Sequence, residues 1–290
     1  MTAHVLQWVL SELASQRCVV MATVLNTSGS VPGKTGARLA MSSHEHTWIG
    51  TVGGAGLEHR VLQRCRELLD GASQPFAEVL TYGLNKGAKG YEVTPLDSLC
   101  GGRVSIAVEV MIPMPHVHIM GGGHCGEALA TTLHGLGWDY SVHDTREAYV
   151  SEDKFPHAVE RSSASVAGVL DGETASTLGR FSDILLLGHD WAEDQERLLG
   201  LLQLLNQTDV ALDGKHHPRI GVIGSRSKWQ AFEEAAREQG VPQALLDQVI
   251  CPIGLNIGAQ SPEEIAVAVA AQIMSLHKSV DPASATWRQA

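Results

Sequence analysis

The sequence has few cysteines, and no pairing pattern joins them. Its five cysteines are Cys18, Cys65, Cys100, Cys125 and Cys251, and none forms a C-x-x-C pair. This spacing argues against a disulfide framework and against a structural zinc site. We therefore expect free thiols.

Other absences exclude several classes of protein. No apolar run approaches the roughly 20 residues that span a bilayer, so we expect no transmembrane helix. The segment from Met1 to Cys18 lacks the basic region and the cleavage site of a secretory signal, which predicts a cytoplasmic protein. The net charge is −11 without a basic cluster, so we expect neither nucleic acid nor a membrane as a partner. The remaining partners are proteins and small molecules.

The length of 290 residues, 44% of them hydrophobic, favours two globular domains. Two prolines between Met111 and His116 interrupt the pattern and indicate the boundary. The predicted fold class is α/β. We predict an N-terminal mixed-sheet domain over residues 1–112, a C-terminal Rossmann-type domain with a parallel sheet over 116–280, and a flexible tail over 281–290.

Hydrophobic periodicity predicts the elements of both halves. In the first half we expect helices over 2–15 and 57–70, and strands over 18–26, 37–41, 47–51, 77–82 and 103–110. In the second half we expect strands over 116–120, 140–144, 184–187 and 219–223, and helices over 126–136, 194–207 and 228–239. A long linker is expected between residues 144 and 184. Short apolar strands that alternate with helices are typical of a parallel sheet covered on both faces.

A glycine-rich turn follows the first strand of the second half. Gly121, Gly123 and Gly126 form a G-x-G-x-x-G motif between a strand and a helix, the setting of a dinucleotide-binding turn. Gly121 would permit the tight turn, Gly123 would let the backbone approach a phosphate, and Gly126 would let the helix pack on the strand. The alternative is a glycine-rich turn that binds nothing.

Other candidate ligand contacts surround this turn. Asp144 ends the next strand, where an acid meets a ribose hydroxyl in such folds. His124 and Cys125 are predicted inside the turn, where they either reach a ligand or only fill space. The segments Gly188-His189-Asp190 and Gly224-Ser225-Arg226 should lie at the same edge of the sheet. Arg226 is a candidate phosphate contact, or an ordinary cation at a helix start.

Three stretches of the first half place glycines beside one reactive side chain. They are Val31–Arg38, Gly53–Glu58 and Leu99–Gly102, with Arg38, Glu58 and Cys100 as the candidate groups and Gly53, Gly54, Gly101 and Gly102 beside them. Cys100 is a possible thiolate, or a small buried residue. Glu58 is a possible ligand contact, or the first-turn acid of a helix. Gly33-Lys34-Thr35 is not a Walker motif, because position 28 is Ser and a strand should follow.

Taken in order, these segments resemble the XdhC/CoxI family, the xanthine dehydrogenase accessory proteins. The resemblance rests on Gly36-Ala37-Arg38, the glycine loop that ends at Glu58, Cys100-Gly-Gly, and the nucleotide-type fold from Val117. It also includes Ile220–Arg226, Pro252–Gly258 and Ser261–Ala266.

The resemblance implies a chaperone of the molybdenum cofactor rather than a turnover enzyme. Such a protein binds molybdopterin, possibly in a dinucleotide form, while a cysteine desulfurase adds a sulfur, and delivers it to a xanthine dehydrogenase-type molybdenum hydroxylase. Cys100 would contact the molybdenum or its sulfur, and Arg38 and Glu58 would contact pterin or phosphate. A homodimer is expected, and the ligand would bind between the two domains.

The sequence departs from the family at two positions. Many relatives have a cysteine where Gly56 stands here, and some have one where Leu99 stands. Cys125 is a hypothetical substitute, if the glycine turn faces Cys100 across a cleft. The fourteen histidines lack ligand spacing, and most are interpreted as surface residues.

Two other functions compete with the carrier role. An NAD(P)-dependent oxidoreductase would use residues 1–110 as its substrate domain. Asp144 would then favour NAD, although the nearby Arg146 weakens that inference. The third possibility is an interaction module whose Rossmann fold has lost its ligand.

Overall fold

A computed structural model describes residues 2–72, 74–84, 93–96, 101–206 and 217–284. The chain forms two compact units, Met1–Pro113 and Met114–Ala290. The first is called the N-terminal unit and the second the Rossmann unit. Cys100 and the tail from residue 285 lie outside the described residues.

The N-terminal unit is built on one mixed sheet. Its elements are α1 (Thr2–Ala14), β1 (Val19–Ser28), β2 (Arg38–Ser42), β3 (Trp48–Gly50), α2 (Ala55–Asp70), β4 (Phe76–Gly83), β5 (Val93–Pro95) and β6 (Arg103–Met111). The strand order is β3-β2-β1-β6-β4-β5. β1 pairs antiparallel with β2 and β6, whereas β4 and β5 are parallel, which confirms the predicted mixed sheet.

The two helices of this unit cover opposite faces of the sheet. Alternating residues of β1 explain this, because Val19 packs with α1, while Val20 and Ala22 pack with α2. Cys65 of α2 is fully buried in this core, and burial raises the pKa of its thiol to about 12. It is a packing residue rather than a reactive one.

The Rossmann unit contains a five-stranded parallel sheet. Its elements are β7 (His116–Met120), α3 (His124–Gly135), β8 (Asp139–His143), β9 (Arg161–Ser162), α4 (Val166–Asp171), α5 (Ala175–Leu178), β10 (Asp183–Leu186), α6 (Trp191–Asn206), β11 (Arg219–Val222), α7 (Arg226–Glu238), α8 (Gln243–Leu246) and α9 (Pro262–His277). The strand order is β11-β10-β7-β8-β9, and every pair is parallel. The predicted Rossmann-type architecture is confirmed.

Apolar side chains cover both faces of this sheet, as predicted. On one face Val117, Ile119 and Val142 pack with residues of α3 and α9. On the other face Met120, Ile184 and Leu186 pack with residues of α6 and α7. The carboxyl ends of the strands, and the loops after them, therefore lie at one edge of the sheet.

The predicted linker between residues 144 and 184 was wrong. The segment contains a 3₁₀ turn over Glu147–Tyr149 together with β9, α4 and α5. These pieces are only two to six residues long, too short to show a hydrophobic period.

The sequence interpretation also missed α9, although its start carries a readable signal. Ser261 and Glu264 form a capping box, and Pro262 occupies the first turn. Other helix starts were predicted too late. The helix α6 begins at Trp191 rather than Asp194, since Asp190 accepts hydrogen bonds from the backbone N–H groups of Ala192 and Glu193. Similarly, α7 begins at Arg226, after the cap residue Ser225.

Within the described part of the chain, no helix is long and apolar enough to cross a membrane.

Candidate functional site

The glycine turn, residues Gly121–Gly126, requires glycine at two of its three motif positions. Gly121 has a φ of +128°, and an added Cβ would lie 2.5 Å from the carbonyl of Leu187. At Gly126 a Cβ would lie 2.1 Å from the carbonyl oxygen of Gly121, so this glycine lets α3 pack on the turn. Gly123 has open space around its Cβ position. It leaves open space beside the backbone at the start of α3.

The sequence predicted a helix only from Gly126, but α3 begins at His124, so His124 and Cys125 lie in the first helical turn. His124 is exposed, whereas Cys125 is half-buried. Burial raises the pKa of the Cys125 thiol, and the carboxylate of Glu263 adds to the increase. Cys125 is therefore protonated at neutral pH and is a weak nucleophile.

Gly122 was not selected from the sequence, yet it is tightly enclosed. An added Cβ would lie 1.9 Å from the carbonyl oxygen of Tyr149. Its N–H donates a 2.9 Å hydrogen bond to Asp144 Oδ2. The position is one of the variable places in the G-x-G-x-x-G motif, so the sequence held no signal for it.

Asp144 directly follows β8 and is buried. Oδ1 accepts hydrogen bonds from the backbone N–H and Nε of Arg146, at 3.0 and 2.8 Å. Oδ2 accepts from Gly122 and from Arg146 Nη2 at 2.8 Å. Burial alone would raise the pKa of Asp144, but these hydrogen bonds outweigh it and lower the pKa to about 2. Asp144 is thus an ionised group that holds the glycine turn.

The loop after β10 reaches the glycine turn, as its position at the sheet edge predicts. The backbone nitrogen of Gly188 lies 2.7 Å from the Cβ position of Gly121. Arg226, the candidate phosphate contact, is exposed at the first position of α7. Among the described residues no hydrogen bond holds its side chain in place, and its predicted role stays a prediction.

A buried ionic network beneath these loops was missed. Asp194 Oδ1 accepts from Arg197 Nη1 at 3.0 Å, and Oδ2 accepts from Lys228 Nζ at 2.8 Å. Lys228 Nζ also donates to the carbonyl oxygen of Ile223 at 3.1 Å. The network therefore joins the starts of α6 and α7. The three residues are distant in sequence or look like ordinary helix-surface charges, so only tertiary structure reveals the group.

Three of the fourteen histidines, His116, His118 and His143, are buried inside the Rossmann unit. His116 Nε2 and Ser141 Oγ are 2.8 Å apart, and His143 Nε2 lies 2.9 Å from the carbonyl oxygen of Ala164. The His118 ring stacks on Phe181 with centroids 4.6 Å apart. Burial lowers the pKa of all three, that of His118 to about 3. These rings are neutral at pH 7.

We predict that burial of His118 makes the folded protein less stable at acidic pH. Below pH 6.5 the unfolded chain binds a proton at this residue, whereas the folded protein does not until about pH 3. Stability from the neutral ring is therefore present above pH 6.5 and is lost as the pH falls, by about 2 kcal/mol at pH 5.0. Urea unfolding of the wild type and His118→Phe at pH 7.5 and 5.0 measures the effect, with the exposed His4→Phe as control. An equal loss in wild type and His118→Phe would contradict the assignment.

The N-terminal unit brings its glycine loops together around the turn between β1 and β2. A Cβ on Gly53, which has a φ of +127°, would lie 2.7 Å from the nitrogen of Gly33. A Cβ on Gly102 would lie 2.5 Å from the carbonyl oxygen of Ser28. Gly54 is the N-cap of α2 and faces Pro32. We call Ser28–Gly36, Gly53–Glu58 and Gly101–Gly102 the three-loop cluster.

Two candidate side chains come from this part of the sequence: Arg38 follows the first loop of the cluster, and Glu58 ends the second. The Nε of Arg38 is buried and has no hydrogen-bond partner among the described residues. Glu58 lies in the first turn of α2 and accepts a hydrogen bond from Thr51, whose hydroxyl in turn accepts from the N–H of Gly53 at 3.2 Å. Glu58 thus supports the glycine loop through Thr51. Cys100 itself lies outside the described residues, next to Gly101.

Among the described residues, no group of three or more His, Cys, Asp or Glu side chains could hold a metal ion. The four described cysteines, Cys18, Cys65, Cys125 and Cys251, are not in disulfides.

The chain is similar to two longer curated proteins. It is 27% identical over 267 residues to the uncharacterized protein YqeB of Escherichia coli K12, which covers 92% of this chain and 45% of that protein. It is 27% identical over 176 residues to a protein of Bacillus subtilis 168 named as a probable xanthine dehydrogenase subunit, which covers 58% of this chain and 44% of that protein. The chain therefore spans less than half the length of these relatives.

A solved structure and two family models also match this chain. A crystal structure of a xanthine dehydrogenase from Bacillus halodurans is similar over 97% of this chain and 98% of that chain, with 20% identity and a TM-score of 0.48. A family model described as XdhC and CoxI family matches residues 12–83. Another, described as XdhC Rossmann domain, matches residues 117–273, which is more than half of the chain. The chain belongs to the XdhC and CoxI family.

Proposed function

We propose that this protein is an accessory factor of a xanthine dehydrogenase-type molybdenum hydroxylase. It binds the molybdenum cofactor, holds it while a cysteine desulfurase supplies the terminal sulfur, and inserts it into the hydroxylase. Family membership and the name of the Bacillus subtilis relative support the link to xanthine dehydrogenase. The cofactor is cargo in this role, and the protein carries out no turnover.

The three-loop cluster is the observation that carries this proposal. Glycines bring backbone from three separate segments within contact distance of one another. Such loops expose N–H groups that an anionic or heterocyclic ligand can use. A buried Arg38 Nε without a partner costs free energy unless a ligand accepts its hydrogen bond. An oxygen of a phosphate or a pterin is a suitable acceptor.

Cys100 is adjacent in sequence to this cluster. A soft metal such as molybdenum favours sulfur ligands, which suits a cysteine on a glycine loop better than a carboxylate. We assign to Cys100 the contact with the molybdenum or its sulfur. Cys65 cannot take this part, because it is fully buried under the sheet.

The glycine turn is proposed to bind the phosphate-bearing part of a nucleotide. Open space at Gly123 and the start of a 12-residue helix at His124 support this assignment. The nucleotide belongs either to a dinucleotide form of the cofactor or to a separate NAD(P)-type molecule.

We also propose that the protein is a homodimer. Light scattering measures its mass in solution, and a value equal to the monomer mass of 31.0 kDa would contradict this proposal.

We predict that Cys100→Ala weakens binding of the molybdenum cofactor at least about tenfold, the loss of about 1.4 kcal/mol of ligand contact. Anaerobic titration of the full chain with the cofactor measures the affinity. Reconstitution of a cofactor-free xanthine dehydrogenase then measures delivery. Arg38→Gln should reduce the affinity as well, because it removes the charged guanidinium and its unpartnered Nε–H.

Cys251→Ala is the matched control, since Cys251 is a half-buried thiol of the Rossmann unit. It should bind and deliver the cofactor like the wild type. Equal affinity of wild type and Cys100→Ala would contradict the role of Cys100. If the wild type itself binds no cofactor and turns over a nicotinamide substrate, the oxidoreductase hypothesis replaces the carrier role.

A further inference from the structure

The carboxylate of Asp144 has no acceptor position left for a ribose. A carboxylate offers about four hydrogen-bond acceptor sites. Arg146 occupies three of them, and the N–H of Gly122 occupies the fourth. The side chain of Asp144 is also only 2% exposed. A ribose hydroxyl at this position would therefore have to displace a charge-assisted hydrogen bond.

Arg146 is the group that the Asp144 pair presents to solvent. Its side chain is 32% exposed. Nε and Nη2 are held by Asp144, while Nη1 makes no hydrogen bond to any described residue. The guanidinium carbon lies over the Tyr149 ring, 3.6 Å from its centre, and this cation–π contact restrains the group. Arg146 is thus an oriented cation with unused donors.

The surroundings favour an anion at this place. The Nζ of Lys154 lies 5.5 Å from the same Tyr149 ring. Lys154 pairs with Glu127 of α3 at 2.8 Å, and Glu193 is occupied by Thr145 and Arg197 at 2.8 and 3.0 Å. Glu127 and Glu193 are thus already paired, whereas Arg146 retains free donors. The carbonyl of Tyr149 packs on Gly122, which places this cation beside the glycine turn.

We propose that Arg146, and not Asp144, determines which nucleotide the Rossmann unit binds, and that it selects a ribose carrying a phosphate monoester. A guanidinium matches phosphate oxygens with two parallel hydrogen bonds, whereas a free hydroxyl needs the acceptor that Asp144 no longer offers. This inference rests on one part of the proposed function, namely that the glycine turn binds the phosphates of a nucleotide. It reverses the preference for NAD that the sequence position of Asp144 implies.

Calorimetric titration of the full chain with NADP⁺ and NAD⁺ at one fixed salt concentration tests the proposal. The wild type should bind NADP⁺ at least about tenfold more tightly than NAD⁺. Arg146→Ala should lose this preference, and NAD⁺ affinity should hold or rise because two acceptor sites of Asp144 become free. Arg146→Lys keeps a point charge without the bidentate geometry and should retain only part of the preference.

Arg237→Ala is the matched control. Arg237 lies in the last turn of α7, 54% exposed, and pairs with Glu233. Its removal changes the net charge equally and should leave the NADP⁺ to NAD⁺ ratio unchanged. A thermal melt of each variant excludes misfolding, and Arg146→Lys remains informative if Arg146→Ala does not fold.

Three results would overturn the inference: equal or better binding of NAD⁺ by the wild type, an unchanged ratio in Arg146→Ala, or binding of neither dinucleotide. Titration of the same preparations with molybdenum cofactor keeps the two proposals separate. Cofactor binding without any NADP⁺ preference would refute the role of Arg146 alone. If the wild type prefers NADP⁺ but does not bind the molybdenum cofactor, the carrier function alone is refuted.

Discussion

Gly126→Ala is expected to destabilise the Rossmann unit by about 3 kcal/mol. The added methyl would lie 2.1 Å from the carbonyl oxygen of Gly121 and 3.2 Å from Ile119 Cγ2. A backbone oxygen cannot rotate away like the end of a side chain, so α3 would have to move off β7. Chemical denaturation monitored by far-UV circular dichroism measures the loss.

Gly123→Ala is the matched control, three residues earlier in the same turn. Its Cβ position is open, and its φ of −72° suits any residue. We expect nearly wild-type stability together with weaker nucleotide binding, because the methyl would obstruct a phosphate that approaches the backbone. Equal destabilisation by the two substitutions would contradict this description of the turn.

Asp194→Ala is expected to cost about 3 kcal/mol, because it removes the buried carboxylate shared by Arg197 and Lys228 and leaves Arg197 only the partly exposed Glu193. Asp194 and Arg197 are 0% and 1% exposed, and Arg197 Nε already lacks a hydrogen-bond partner among the described residues. Lys228 is 17% exposed and can turn toward water, so the penalty arises mainly from Arg197. Thermal melting at pH 7 would show the loss.

Two variants separate the loss of a partner from the loss of a charge. Asp190→Ala removes an exposed acid at the start of the same helix and should cost clearly less than Asp194→Ala. The double variant Asp194→Leu with Arg197→Leu removes both buried charges and should recover much of the stability. If Asp194→Ala melts like the wild type, the network contributes nothing measurable.

The local signals in the sequence were sufficient for the architecture. The alternation of apolar strands with helices led to the parallel sheet, and the glycine spacing led to the turn before α3. These features depend on neighbours in sequence, and local sterics restrict what they can form. The short elements between Asp144 and Asp183 were not predicted, because a strand of two residues and a helix of four are too short to show a hydrophobic period.

The candidate site was only partly accessible from the sequence. The glycine positions 33, 53 and 102 looked like three separate loops, and the fold of the N-terminal unit brings them to one place. Glu58 was named as a ligand contact or a helix acid. The structure gives it a hydrogen bond from Thr51, a partner that no spacing rule would have selected.

What the sequence by itself determined was the two-part α/β design, the Rossmann turn and the family, since these rest on short motifs and local periodicities and on their order along the chain. What only the tertiary structure decided was the charge state and the hydrogen-bond occupancy of the polar groups. The sequence at Asp144 is the same whether its carboxylate is free to bind a ribose or accepts hydrogen bonds from Arg146 and Gly122, as it does in the structure. His118 is neutral because the packing around it excludes water. Desolvation and pairing depend on distant residues that meet only in the folded chain.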